Sequence, residues 1–196
     1  MRNPVLVGER VYLRPLEPDD ADTISEFEAQ ENETITHMGG RTPMSPIALR
    51  KMISEEFKTM PPGTVEFAVC LKENDEMIGG VGVTGIDWVH GHGETFSHLR
   101  PGEWRGQGYG TEAKHLLLEY CFDHIGLHVL TSWVWELNGR SAAALAKQGY
   151  RSAGRLKADG IEKGVYYDDM VFDLLRADWT EARDVWQASQ RARSNG

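Results

Sequence analysis

The chain has 196 residues, enough for one ordinary domain with a real core, and its 40% apolar and 26% charged residues suit a soluble globular protein. No apolar run approaches the length of a membrane span, so membrane insertion is not expected. A formal net charge of -9 argues against direct binding to nucleic acid or to an acidic membrane surface, which both need a cationic face, and suits a cationic partner.

The first residues, "MRNPVLVGERVYLRPLEPDD", lack the long apolar core and small-residue cleavage site of a signal peptide, which points to the cytoplasm. "RVYLRPL" (10–16) alternates apolar and polar positions like a half-buried strand, and "EPDDAD" supplies acidic residues for the start of a helix through "TISEFEAQ". A second helix follows in "SPIALRKMISEEFKTM", with Ser45 as cap, Pro46 at the first position and Ile47, Leu49, Ile53 and Phe57 among its apolar residues. Pro61, Pro62 and Gly63 stop it. "VEFAVCL" and "MIGGVGVTGI", joined by the turn-forming "KENDE", read as antiparallel neighbours, and "ETFSHLR" (94–100) as a further short strand.

"WRGQGYGTEA" (104–113) is the most informative stretch. Gly106, Gly108 and Gly110 free the backbone before a helix that runs through "TEAKHLLLEYCFDHIG". Exposed amides there, together with the positive end of the helix dipole, form a site for phosphate oxygens, to which Arg105 could add a charge-assisted bond. The P-loop pattern fails, because Thr111 and Glu112 stand where Lys and Ser or Thr are required. The dinucleotide fingerprint fits poorly, because the glycines are spaced by two and follow several strands. A bare structural turn is the plain alternative.

"HVLTSWVWEL" (128–137) is then a strand, "NGRSAAALAKQG" a short helix closed by Gly149, and "YRSAGRLKA" and "DMVFDLL" the last strands. A helix over 177–196 ends the chain. Trp133 and Trp135 share one face of their strand and are expected in the core. Cys70 and Cys121 sit among apolar neighbours, too few for a disulfide framework and expected as buried thiols. His90 and His92 beside Asp87 and Glu94 lack a defined third ligand, so the expected metal content is none.

"RGQGYGTEA" supplies an Arg-x-x-Gly-x-Gly pattern, and "NGRSAAALAKQGY" follows at a suitable separation. Together they resemble the GNAT superfamily of acyl-CoA-dependent N-acetyltransferases. The ending "DGIEKGVYYDDMVFDLLRADW" resembles its RimJ/RimL-type branch, which includes ribosomal-protein N-terminal acetyltransferases. The likeness covers about 8–179, implying one N-acetyltransferase domain over 1–196 with the last helix appended. The implied fold is α+β: a central, mostly antiparallel sheet of about seven strands, splayed between "ETFSHLR" and "HVLTSWVWEL" and flanked by helices.

The resemblance also implies an acetyl-CoA cosubstrate in that split. Backbone groups near Leu99 and Arg100 would pair with the pantetheine, and amides from Arg105, Gly106, Gln107, Gly108, Tyr109, Gly110 and Thr111 would hold the pyrophosphate. Asn138 would position the pantetheine or a water, and Lys147 would approach the nucleotide phosphate end. Glu94 is the leading base, where some superfamily members place a glutamate, and His98 on the same alternating face is the runner-up. Many members carry a tyrosine seven positions after the asparagine, where this chain has Leu145. Ser141 matches the RimJ/RimL-type serine that approaches the leaving sulfur, and helix capping by Asn138 and Ser141 is the plain alternative. Glu31, Glu33, His37 and Met38, in a loop bordering the acceptor pocket of such enzymes, are substrate candidates. The acceptor would be a protein N-terminus or a small-molecule amine, and assembly as a homodimer stays open. A non-catalytic acyl-CoA sensor and a nucleotide-binding module are the competing readings.

Overall fold

The computed structural model describes residues 1–30, 44–55, 60–162 and 164–194. Strands β1 (Leu6–Val7) and β2 (Val11–Pro15) lead into helices α1 (Asp20–Gln30) and α2 (Pro46–Glu55). Strands β3 (Val65–Leu71), β4 (Met77–Asp87) and β5 (His92–Leu99) precede helix α3 (Tyr109–Glu119), which ends in a π-helical turn over Tyr120–His124. Strand β6 (Val129–Trp135), helix α4 (Gly139–Lys147), strands β7 (Arg151–Glu162) and β8 (Val165–Leu175) and helix α5 (Arg176–Ser194) complete the chain. No described helix is long and apolar enough to cross a membrane.

Among the described residues, eight strands form one mixed sheet in the order β1-β2-β3-β4-β5-β6-β8-β7. The sequence predicts about seven. The addition is β1, whose two residues pair with Leu13 and Tyr12 and are too few to show an alternation. Every pairing is antiparallel except β5 with β6, which is parallel and lasts for only three residue pairs, His92–Val129 through Glu94–Thr131. Beyond Thr95, whose hydroxyl still reaches the Thr131 carbonyl at 3.2 Å, the two strands part.

Two apolar layers cover the sheet. Val11, Leu13, Phe67 and Val69 pack with Leu117, Leu118, Phe122 and Trp179 beneath α3 and α5, while Tyr12, Ala68 and Cys70 pack with Phe27, Leu49 and Ile53 of α1 and α2. This corrects the half-buried reading of β2, because Val11, Tyr12, Leu13 and Arg14 are all buried between the two layers. The one charge in that run is matched: the Arg14 guanidinium donates to both Asp20 oxygens at 2.8 and 2.6 Å. Cys70 and Cys121 are buried and unpaired with each other.

The tryptophan expectation is also corrected. Leu130, Ser132 and Val134 are the buried face of β6, whereas Trp133 is exposed and Trp135 half-buried on the other face. The helices α1 and α2 lie over β2 and β3, and among the described residues that face of β6 has no helical layer of its own in either apolar cluster.

Candidate functional site

The glycine turn folds as its composition predicts. Gly108 caps α3 in the left-handed region (φ 88°), without a side-chain cap. Gly106 has φ 80°. The first helical main-chain bond runs from the Glu112 amide to the Gly108 carbonyl at 3.1 Å, so the amides of Tyr109, Gly110 and Thr111 have no acceptor within the helix. Those three amides and the dipole of α3 point at the α3 entrance, the fit a diphosphate needs.

The turn is bolted to the start of β2 by a pair that sequence reasoning missed. Buried Glu112 accepts at Oε1 from the main-chain amides of Arg10 (2.7 Å) and Val11 (3.2 Å) and at Oε2 from the Arg10 guanidinium (3.2 Å). The same guanidinium donates to the Gln107 carbonyl at 2.9 Å and lies 4.6 Å from the Tyr109 ring centre. An acidic residue in the first turn of α3 was the available signal, but nothing in the sequence joins it to residue 10.

Arg105 is turned toward the end of β5, where its Nε and Nη2 donate to the Leu99 carbonyl at 3.1 and 2.9 Å. The Arg100 amide donates to the Ile78 carbonyl at 2.9 Å. A pantetheine arm at Leu99 and Arg100 would therefore exchange with these bonds.

Glu94, Phe96 and His98 share one face of β5. A Cβ on Gly82 would meet the Phe96 ring at 2.4 Å and one on Gly80 the His98 ring at 2.6 Å, so those side chains lean across β4. Glu94 is half-buried just before the strands part. Burial raises its pKa; the Lys114 charge lowers it and the Asp169 charge raises it. Lys114 is itself 2% exposed on the core-facing side of α3, and burial holds its pKa down to about 7.

At the entrance to α4 the Asn138 side chain accepts from the Ser141 main-chain amide at 3.0 Å. The capping role is thus present, and it engages the Ser141 amide rather than its hydroxyl. Leu145 is buried core, so the position of the family tyrosine carries no proton donor. A different hydroxyl pair closes the base of the split, where the Thr95 and Tyr150 oxygens lie 2.5 Å apart.

Lys147 is set between α4 and α5. It ends α4 beside Gly149, where a Cβ would meet the Asp178 carbonyl, and lines a groove with Asp178 and Glu181 of α5. The neighbouring Trp179 stacks on Phe122, roughly 20 Å along α3 from Gly108 at 1.5 Å per residue. Glu31, Glu33, His37 and Met38 lie outside the described residues.

Among the described residues, no group of three or more His, Cys, Asp or Glu side chains is arranged to hold a metal. Asp87 instead caps its own turn, accepting from the Val89 and His90 amides and from the His90 ring, each at 2.9 Å.

Comparison with known proteins agrees with this geometry. Residues 10–151 match the acetyltransferase (GNAT) domain family. The chain is 28% identical over 176 residues to the uncharacterized N-acetyltransferase p20 of Bacillus licheniformis, covering 89% of this chain and 97% of that protein. It is 24% identical to the uncharacterized N-acetyltransferase YoaA of Bacillus subtilis (strain 168), covering 88% and 97%. Its fold is similar to spermidine N-acetyltransferase from Vibrio cholerae in complex with CoA and spermine, with a TM-score of 0.78, 21% identity and coverage of 88% and 99%. With the family model spanning most of the sequence and the forked sheet and glycine cradle in place, the chain belongs to the GNAT acetyltransferase family.

Proposed function

We propose that this acetyltransferase moves the acetyl group of acetyl-CoA to a primary amine by direct attack within a ternary complex, working as one domain over 1–196. The observation that carries the reading is the alignment of two features: first-turn amides of α3 without intrahelical acceptors, and a sheet that opens beside Glu94. The amides of Gly106 through Thr111 would hold the diphosphate, and the gap between β5 and β6 would seat the thioester arm.

The chemistry asks for positioning and proton handling. An α-amine with pKa near ~8 is roughly a tenth neutral at neutral pH, whereas a lysine amine near ~10.4 is neutral at well under ~0.1%. A half-buried carboxylate with a raised pKa is matched to taking that proton, which assigns Glu94 as base. His98, exposed on the same face two residues beyond Phe96, is the second candidate. Ser141, at the capped entrance of α4, would give a proton to the departing thiolate. The Asn138–Ser141 pair and the closing segment support the RimJ/RimL-like branch.

The test is thiol release from acetyl-CoA with a panel of small amines and N-terminal peptides. Release should require an amine, fall about a hundredfold or more in Glu94→Gln and fall in Ser141→Ala. Saturable CoA binding with no turnover on any amine would favour a sensor instead.

A further inference from the structure

The sheet face that carries Glu94 continues across β6 and β8, and its side chains form a group with no role so far. Glu94 pairs with Thr131, Trp133 with Val171 and Trp135 with Asp169, so Glu94, Trp133, Trp135 and Asp169 lie on one side of the sheet. That side is opposite Phe172 and Leu174, which face the α3 layer.

Asp169 is 8% exposed, yet among the described residues its Oδ1 has no hydrogen-bond partner. A buried carboxylate oxygen without a donor costs free energy that a ligand N–H would recover. A second carboxylate, Asp159, lies within hydrogen-bonding reach of the first. It is brought there by an irregularity of β7 between Leu156 and Gly160, which the Ala158 amide fixes by donating to Asp168 at 2.8 Å. Two close carboxylates disfavour each other's charge unless a cation joins them. The nearby Arg155 guanidinium is taken up by Asp168 and Glu136. Trp133, 40% exposed, stands on the same face two residues before Trp135, the strand partner of Asp169, and Trp135 packs under Gly160.

We propose that this face is the acceptor subsite, with Asp169 and Asp159 holding a second positive charge of an amine whose reacting nitrogen lies at Glu94, and Trp133 flanking the chain between them. The substrate class is then a flexible diamine or polyamine. Thr131 and Trp135, which mark the two ends, are four residues apart on β6, about 13 Å in an extended strand. A compact monoamine fills one end and leaves Asp169 without a donor. The inference rests on the amine-acetylating reading above and adds the residues that select among amines.

The test uses the whole chain with spermidine, putrescine and butylamine, the last being putrescine without its second nitrogen. Transfer kinetics are measured alongside calorimetric binding of each amine to the CoA-loaded protein. The parent should favour spermidine over butylamine, and Asp169→Asn should raise the spermidine KM about ten- to a hundredfold with little change in kcat or in the butylamine KM. Asp159→Asn, at an exposed position, and Trp133→Leu should act in the same direction by about three- to tenfold. Equal use of the two amines by the parent, or an unaltered ratio in Asp169→Asn, overturns the proposal. If no amine is acetylated but spermidine binds and Asp169→Asn removes that binding, the subsite stands and the transfer reading falls. If the parent neither acetylates nor binds spermidine, the subsite falls.

Discussion

Arg10 and Glu112, 102 positions apart, are joined through both the main chain and the side chain of the arginine: the Arg10 amide donates to Oε1 at 2.7 Å and its Nε to Oε2 at 3.2 Å. This contact ties the start of β2 to the first turn of α3. Glu112→Ala leaves the amides of Arg10 and Val11 without this acceptor and should cost about 1–3 kcal/mol in chemical denaturation. Because Arg10 also holds the Gln107 carbonyl, the variant should weaken CoA binding as well, measured by calorimetry at a temperature where it remains folded.

Gly108 should be among the positions least tolerant of a side chain. Its φ of 88° is strained for an L-residue, by roughly 1–2 kcal/mol, and an added Cβ would meet Arg10 Nη2 at 3.1 Å. Gly108→Val should lower CoA affinity at least about tenfold by closing the cradle. Unchanged affinity in a folded variant would remove the diphosphate from this turn.

The rate should depend on pH through Glu94. Burial raises its pKa, and the base must be ionised to act, so activity falls as pH drops through that raised value; Glu94→Gln should abolish this acid limb. Lys114 lowers the Glu94 pKa, so Lys114→Met should move the limb to higher pH. Stability should respond too. Folded Lys114 loses its proton near 7, well below its ordinary 10.5, so the unfolded chain binds the extra proton between those values and stability rises with pH across that window. Lys114→Met should remove the rise and add on the order of 2–4 kcal/mol near pH 7, read from denaturant midpoints.

At lower pH the attachment of α5 should weaken. His115 is 3% exposed, both its ring nitrogens lack hydrogen-bond partners among the described residues, and its ring stacks on Trp186 with centres 4.5 Å apart. Burial, followed by the Arg183 charge, holds its pKa down to about 4, against 6.5 when free. The unfolded chain therefore binds the extra proton between 6.5 and 4, and stability falls as pH drops through that window, by up to about 3 kcal/mol. Denaturant midpoints from pH 7 to 4 should show the loss, and His115→Phe should flatten it.

The sequence by itself determined the elements whose causes are local. The Gly108 turn, the apolar spacing of α3 and the Asn138 cap of α4 each arise from neighbours within one or two turns of chain, and each formed where those neighbours require it. The resemblance carried by two spaced motifs added the forked sheet. Tertiary structure alone decided which face of each strand is covered. The alternation of β6 separates Trp133 and Trp135 from Leu130, Ser132 and Val134, but only the placement of α3 made the second set the core. Pairing register brought Asp169 onto the face of Glu94, and chain closure put Glu112 against Arg10. Lys147 matched a motif in sequence, and the direction of α4 set it beside Asp178 and Glu181 of α5. Local propensity fixes what a segment becomes; the burial of a distant surface fixes what its side chains meet.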